Sequence, residues 1–255
     1  MAAWTWMGRF RARRESPRPH PDAMTLGEHL GELRRRLIIS ICAVAVGAVV
    51  TYAFYGQILT LLQHPYCEAV PKHCSFYITA PLQGFALRLN VSCYGGILIA
   101  IPVLFYQLWR FVTPGLKANE KKYAVPFSVA TALLFAAGAA TAYLVFAHAL
   151  RFLISVSGPH ITAIISPNSY ITLILLLMVA FGATFEFPVL LVGLEIAGVL
   201  TPAKLSKVRR WAIIGMVAFA AIVTPSSDPF SMLALAIPLL IFYEASIVIG
   251  RLLGK

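Results

Sequence analysis

Six apolar stretches, each long enough or nearly long enough to cross a bilayer, fill about half of this chain, and that repetition decides what it can fold into. They run Leu37–Tyr55, Val91–Trp109 with an extension back toward Gly84, Tyr123–Leu150, Tyr170–Leu194, Trp211–Val223 and Phe230–Ile249. The 19 residues of the first cover about 28 Å as a helix, close to the roughly 30 Å of hydrocarbon in a bilayer. With 59% hydrophobic and 12% charged residues, too little polar surface exists to wrap so much apolar side chain in water. Soluble, disordered, collagen-like and coiled-coil chains are excluded on those numbers. The expected fold is all-α, a polytopic integral membrane protein with six transmembrane helices, of which the fifth and sixth are short. Only 13 residues of the fifth stretch precede the stop at Thr224-Pro225, so it should thin the bilayer or sit behind its neighbours.

The net charge of +11 would suggest nucleic acid in a soluble protein, but here its placement speaks to topology. Of 21 Lys and Arg, eight precede the first span, four lie between Arg110 and Lys122, four between Lys204 and Arg210, and two are Arg251 and Lys255. Only Lys72, Arg88 and Arg151 fall on the opposite side. Both ends are therefore expected in the cytoplasm, with outside loops near 56–83, 151–169 and 224–229. Residues 1–24 are basic and carry Pro17, Pro19 and Pro21, so they read as a flexible cytoplasmic tail before a membrane domain over 25–255. The pair Arg13-Arg14 does not read as a targeting signal, because the apolar run begins only at Leu37.

Cys42 and Cys93 fall in spans and read as small buried groups. Cys67 and Cys74 share an outside loop, where oxidising conditions would let them pair; the alternative is a metal site with His64 and His73, whose spacing is unlike accustomed zinc sites. No cofactor is expected.

An ionised carboxylate inside a bilayer costs several kcal/mol unless paired, hydrated or neutralised. Glu186 lies within the fourth span, in Phe185-Glu186-Phe187-Pro188, where the proline frees a carbonyl about one turn earlier. It marks either a partner-helix or ion pathway, or a bond to a neighbouring helix of the same subunit. Glu195 and Glu244 sit at the cytoplasmic ends of the fourth and sixth spans, where either could reach the interface or a lysine. Asp228 beside Pro229 opens the sixth span and suits a helix N-terminus in any case. Before the first span, Leu30, Leu33 and Leu37 form one helical stripe, with Glu28 and Glu32 on a neighbouring face. The segment reads as an amphipathic helix lying on the membrane, with arginines on lipid phosphates. Glu120 sits amid Lys117, Lys121 and Lys122. Glu32 and Glu120 are either local salt bridges or receivers of a cationic ligand, for which guanidinium groups are suited by their two parallel charge-assisted bonds.

Four blocks in order carry a resemblance: His29-Leu-Gly-Glu-Leu-Arg-Arg-Arg-Leu37; Pro102-Val-Leu-Phe-Tyr-Gln-Leu-Trp109 leading into Arg110-Phe-Val-Thr-Pro-Gly-Leu116 and Glu120; Phe181-Gly-Ala-Thr-Phe-Glu-Phe-Pro188; and Thr224-Pro through Ala236-Ile-Pro238. From about Met24 to Lys255 the chain resembles the TatC subunit of the twin-arginine protein translocase. The resemblance implies a non-enzymatic signal-peptide receptor and core subunit that exports folded proteins across a prokaryotic cytoplasmic membrane, driven by the proton-motive force. Glu32, Arg34, Phe111 and Glu120 match positions implicated in recognising the twin-arginine motif. Glu186 matches an intramembrane glutamate that meets single-span partners of the TatA and TatB class, Pro65 a sensitive proline of the first outside loop, and Asp228 the acid of the last outside turn. Self-association in a multimeric receptor complex is implied as well. The chain departs from the family in Thr224-Pro-Ser-Ser-Asp228, one residue longer than usual, and in Met232, which stands where a glutamine is common.

A second class is a proton-coupled small-solute transporter with Glu186 as proton carrier. Such transporters show broken helices in related repeat halves, and the halves here show no obvious similarity. An intramembrane hydrolase is less favoured still, because this sequence shows neither paired membrane aspartates nor recurring metal-ligand spacing.

Overall fold

The computed structural model describes residues 26–70, 74–78, 80–112, 124–156, 158, 165–196, 198–224 and 228–252. All regular structure among them is helical: α1 (Leu26–Ala53), α2 (Tyr55–Ala69), α3 (Gln83–Val112), α4 (Ala124–Val156), α5 (Pro167–Phe185), α6 (Phe187–Ile196), α7 (Pro202–Val223) and α8 (Pro229–Leu252). Among the described residues, five segments are long and apolar enough to cross a membrane: Leu30–Ala53, Gln83–Leu108, Ser128–Val156, Pro167–Ile196 and Pro229–Leu252. The chain is a polytopic helical membrane protein. Its large apolar residues face outward in number, as at Val46 (65% exposed) and Val49 (70%), which suits a lipid solvent.

Several expectations need correction. The N-terminal segment is not a separate surface helix, because α1 runs unbroken from Leu26 into the first span. The region 56–83, expected to be an outside loop, contains a helix, α2, which turns off α1 at Phe54 and buries Leu62, Pro65 and Tyr66. Residues 151–156, expected in a loop, continue α4. The fifth and sixth predicted spans are not short as helices: α7 has 22 residues and α8 has 24, about 33 and 36 Å at 1.5 Å per residue. Thr201 caps α7 by accepting from the Lys204 amide at 3.3 Å, and Pro202 occupies its first turn. Only the second half of α7 is apolar.

The fourth span is also interrupted. Pro188 has no N–H for the carbonyl one turn earlier, and the chain tightens so that Glu186 N–H bonds the Ala183 carbonyl at 3.2 Å. Leu190 N–H then bonds the Glu186 carbonyl at 3.1 Å and α6 begins. The main core is formed by residues of α4, α5 and α8 such as Phe146, Ile171, Phe181 and Leu239. α7 touches chiefly α8. α1 packs along α3 at backbone distance, where Gly47 faces Gly96 and Thr51 faces Gly95.

Candidate functional site

At the N-terminal end of α1, Arg36 Nη2 donates to Glu32 Oε1 one helical turn away, and Arg36 Nη1 reaches Gln107 Oε1 on α3 at 3.5 Å. The side chains of Arg36 and Glu32 are only 12% and 22% exposed, whereas Arg34 is exposed. Phe111 is half-buried in the last turn of α3, one turn beyond Gln107. The fold thus brings the Glu32 end of α1 to the C-terminal end of α3, while Arg34 stays exposed. Glu120 lies outside the described residues.

Glu186 occupies the turn between α5 and α6 and is half-buried. Its carboxyl faces the Thr131 hydroxyl and the backbone of Phe135 on α4, while Oε1 is buried with no hydrogen-bond partner. Phe135 also lines a cavity of about 410 Å³ with Leu98, Pro102, Ala139 and Met178, so a polar spot abuts an apolar hollow. No local pattern in the sequence points to Thr131, because its nearness to Glu186 is a contact between two helices.

Pro65 is buried in α2, and its missing N–H frees the Leu61 carbonyl. The Tyr143 hydroxyl of α4 donates to that carbonyl at 2.9 Å, and Tyr170 of α5 donates to the Leu62 carbonyl at 2.8 Å. The proline therefore creates the acceptor by which α2 is held over the bundle. Tyr66, Phe76 and Tyr170 pack with ring centroids 5.0–5.4 Å apart, and burial pushes the Tyr66 phenol above its usual range. A Cys67–Cys74 disulfide with Cα atoms 4.7 Å apart flanks the cluster. Both sulfurs are thereby removed from the metal alternative, and no group of metal-binding residues occurs among the described residues.

Asp228 is buried, and its Oδ1 accepts from the Ser231 amide at 2.7 Å as a cap on α8. Glu244 pairs with Arg209 of α7 at 2.8 Å rather than with a lysine, in a pair nearly half exposed and of small net worth. Glu195 reaches neither interface nor lysine: it has no exposed surface and both carboxyl oxygens lack a partner. A methyl group added at Gly250 of α8 would fall 2.4 Å from its Oε2. Because a buried unsatisfied polar group costs about 1–3 kcal/mol, Glu195→Met is expected to raise the thermal midpoint of the detergent-solubilised protein. A lowered midpoint would show that the carboxyl is needed where it lies.

The sequence model of the family described as Sec-independent protein translocase protein (TatC) matches residues 28–238. A TatC of Frankia casuarinae is 37% identical over 240 residues, covering 90% of this chain and 66% of that protein. Those of Magnetococcus marinus and Aquifex aeolicus are 40% and 38% identical, covering 89% and 90% of this chain and 83% and 95% of theirs. A crystal structure of the twin arginine translocase receptor TatC superposes with a TM-score of 0.73 at 36% identity, covering 89% of this chain and all of that one. Fold and similarity together define a multi-pass helical membrane protein with a transport rather than a catalytic role. The chain belongs to the TatC family of Sec-independent protein translocase proteins. Its place is in a translocase complex.

Proposed function

We propose that this chain is the signal-peptide receptor and core subunit of a twin-arginine translocase, exporting folded proteins across a prokaryotic cytoplasmic membrane at the expense of the proton-motive force. Six spans, with α7 added to the five apolar ones, would put both ends in the cytoplasm and leave residues 1–24 as a basic tail before the membrane domain. Two of the three basic residues assigned outside support this orientation by having local partners. Arg151 donates to Glu68 at 2.8 Å, and Arg88 lies over the Tyr52 ring at 4.1 Å.

The observation that carries the receptor reading is the close seam of α1 and α3, which brings the Glu32 end of α1 to the end of α3 near Gln107. Glu32 and Arg34 stand at that end of α1, and Phe111 lies one turn beyond Gln107 on α3. Paired arginines of a signal peptide would meet carboxylates there, by bonds that guanidinium makes in parallel and lysine does not. Glu186, at a broken helix beside an apolar hollow, would receive a polar group of a single-span partner of the TatA or TatB class. Pro65 and Asp228 serve by holding α2 and α8 in place. Glu244 ties α7 to α8.

Transport of a folded reporter into inverted membrane vesicles tests the reading. An Arg-Arg precursor should enter, its Lys-Lys counterpart should not, and an uncoupler should stop entry. Transport indifferent to both changes would remove the proposal.

A further inference from the structure

Three consecutive arginines, Arg34, Arg35 and Arg36, follow Glu32, and the helix sorts them. Arg34 and Arg35 are exposed, whereas Arg36 sits one turn above Glu32, turned toward α3, with its side chain 12% exposed. One of its terminal nitrogens bonds Glu32 Oε1 and the other reaches Gln107 Oε1 at 3.5 Å, near the limit of a hydrogen bond. Its third nitrogen, Nε, is buried and bonds nothing. This guanidinium is therefore poorly satisfied. It meets the carboxylate through a single nitrogen, holds a long second contact, and keeps a desolvated donor without an acceptor.

We infer that Arg36 is an internal stand-in for the signal-peptide arginine: it occupies Glu32 in the unliganded protein, and an incoming guanidinium binds by exchange with it. The inference rests on the receptor reading of Glu32 and adds a specificity-determining residue to it. While it occupies Glu32, Arg36 keeps the carboxylate oriented. On exchange it swings into solvent, where its orphaned Nε regains hydration, and the peptide arginine takes the carboxylate with both of its parallel donors. A lysine offers one compact charge, cannot make that paired contact, and so fails to displace a resident guanidinium. Discrimination against Lys-Lys thus comes partly from the resident competitor, a repulsive element as well as an attractive one.

When the binding-competent state is populated only in part, apparent affinity falls by that fraction. The test is the affinity of the full-length protein in lipid nanodiscs for a fluorescent signal peptide bearing Arg-Arg and for its Lys-Lys form, over a range of salt. Arg36→Gln should bind the Arg-Arg peptide roughly 3- to 10-fold more tightly and reject Lys-Lys less sharply. Its affinity should also fall more steeply with salt, because in the wild type salt weakens the resident and the incoming pair alike. Arg35→Gln removes the same charge from a side chain that does not hold Glu32, and should give less than half of that gain. Gln107→Leu changes no charge yet loosens Arg36, and should tighten Arg-Arg binding in the same direction, which serves the test even if Arg36→Gln does not fold. A wild type that prefers Arg-Arg, with folded Arg36→Gln or Gln107→Leu unchanged, weaker or no different from Arg35→Gln, would overturn the exchange alone. No Arg-Arg preference in the wild type would overturn the receptor reading and the exchange with it.

Discussion

Gly96→Val is expected to leave little folded protein in the membrane. A Cβ on Gly96 would fall 2.6 Å from the Ala48 amide nitrogen and 2.8 Å from its Cα, while one on Gly47 would fall 2.6 Å from the Gly96 carbonyl. Both neighbours are backbone, so no side chain can turn aside. Overpacking of this kind costs about 1–3 kcal/mol or more. Lipid offers no hydrophobic drive to press the helices back together, so close approach through small residues is the main source of their attraction. The same α1–α3 seam sets Arg36 against Gln107, so a variant that escaped degradation should also have lost the geometry at Glu32. Gly215→Ala is the matched control: an exposed glycine of α7 with nothing within 4 Å of an added Cβ, it should be neutral or slightly stabilising. Membrane yield and a monodisperse elution profile would separate the two. Equal yields would mean that the seam is not packed this tightly.

Glu186→Leu should reduce transport about tenfold while leaving capture of the signal peptide intact, since a polar contact between membrane helices is worth about 1–2 kcal/mol. The carboxyl lies at the α5–α6 turn against Thr131, apart from the Glu32 end of α1. Glu186→Gln discriminates between mechanisms. It keeps hydrogen-bonding groups and should retain most transport if the role is to meet a partner helix. Activity as low as in Glu186→Leu would instead demand an ionisable proton, and would favour the transporter reading.

The spans were legible because lipid demands long apolar runs, and the runs show through any packing detail. α2 escaped notice because Gln57, Gln63, His64 and Glu68 dilute its apolar face and Pro65 sits inside it. Its helical form depends on partners from α4 and α5, Tyr143 and Tyr170, that no local pattern reveals. The length of α7 was readable in principle: Thr201-Pro202 is a helix start, but Lys204, Lys207, Arg209 and Arg210 cut the apolar run short. Pro188 announced a disturbance at Glu186, yet its outcome, a turn dividing the span, depends on how the freed carbonyls are reused. At Glu32 the helical spacing pointed to Glu28 on the same face. The equally spaced Arg36 proved the partner that matters, and its bridge to Gln107 is a tertiary fact. Glu195 shows the limit most plainly, because only the fold reveals that it is enclosed against Gly250.

Site-specific photocrosslinking from positions 32 and 120, in inverted membrane vesicles offered an Arg-Arg precursor and its Lys-Lys counterpart, is the most direct test of the central claim. Crosslinks from both positions to the Arg-Arg precursor alone are the predicted result. Equal or absent crosslinking in protein shown to be folded would contradict it, and would reduce these carboxylates to salt bridges at the membrane surface.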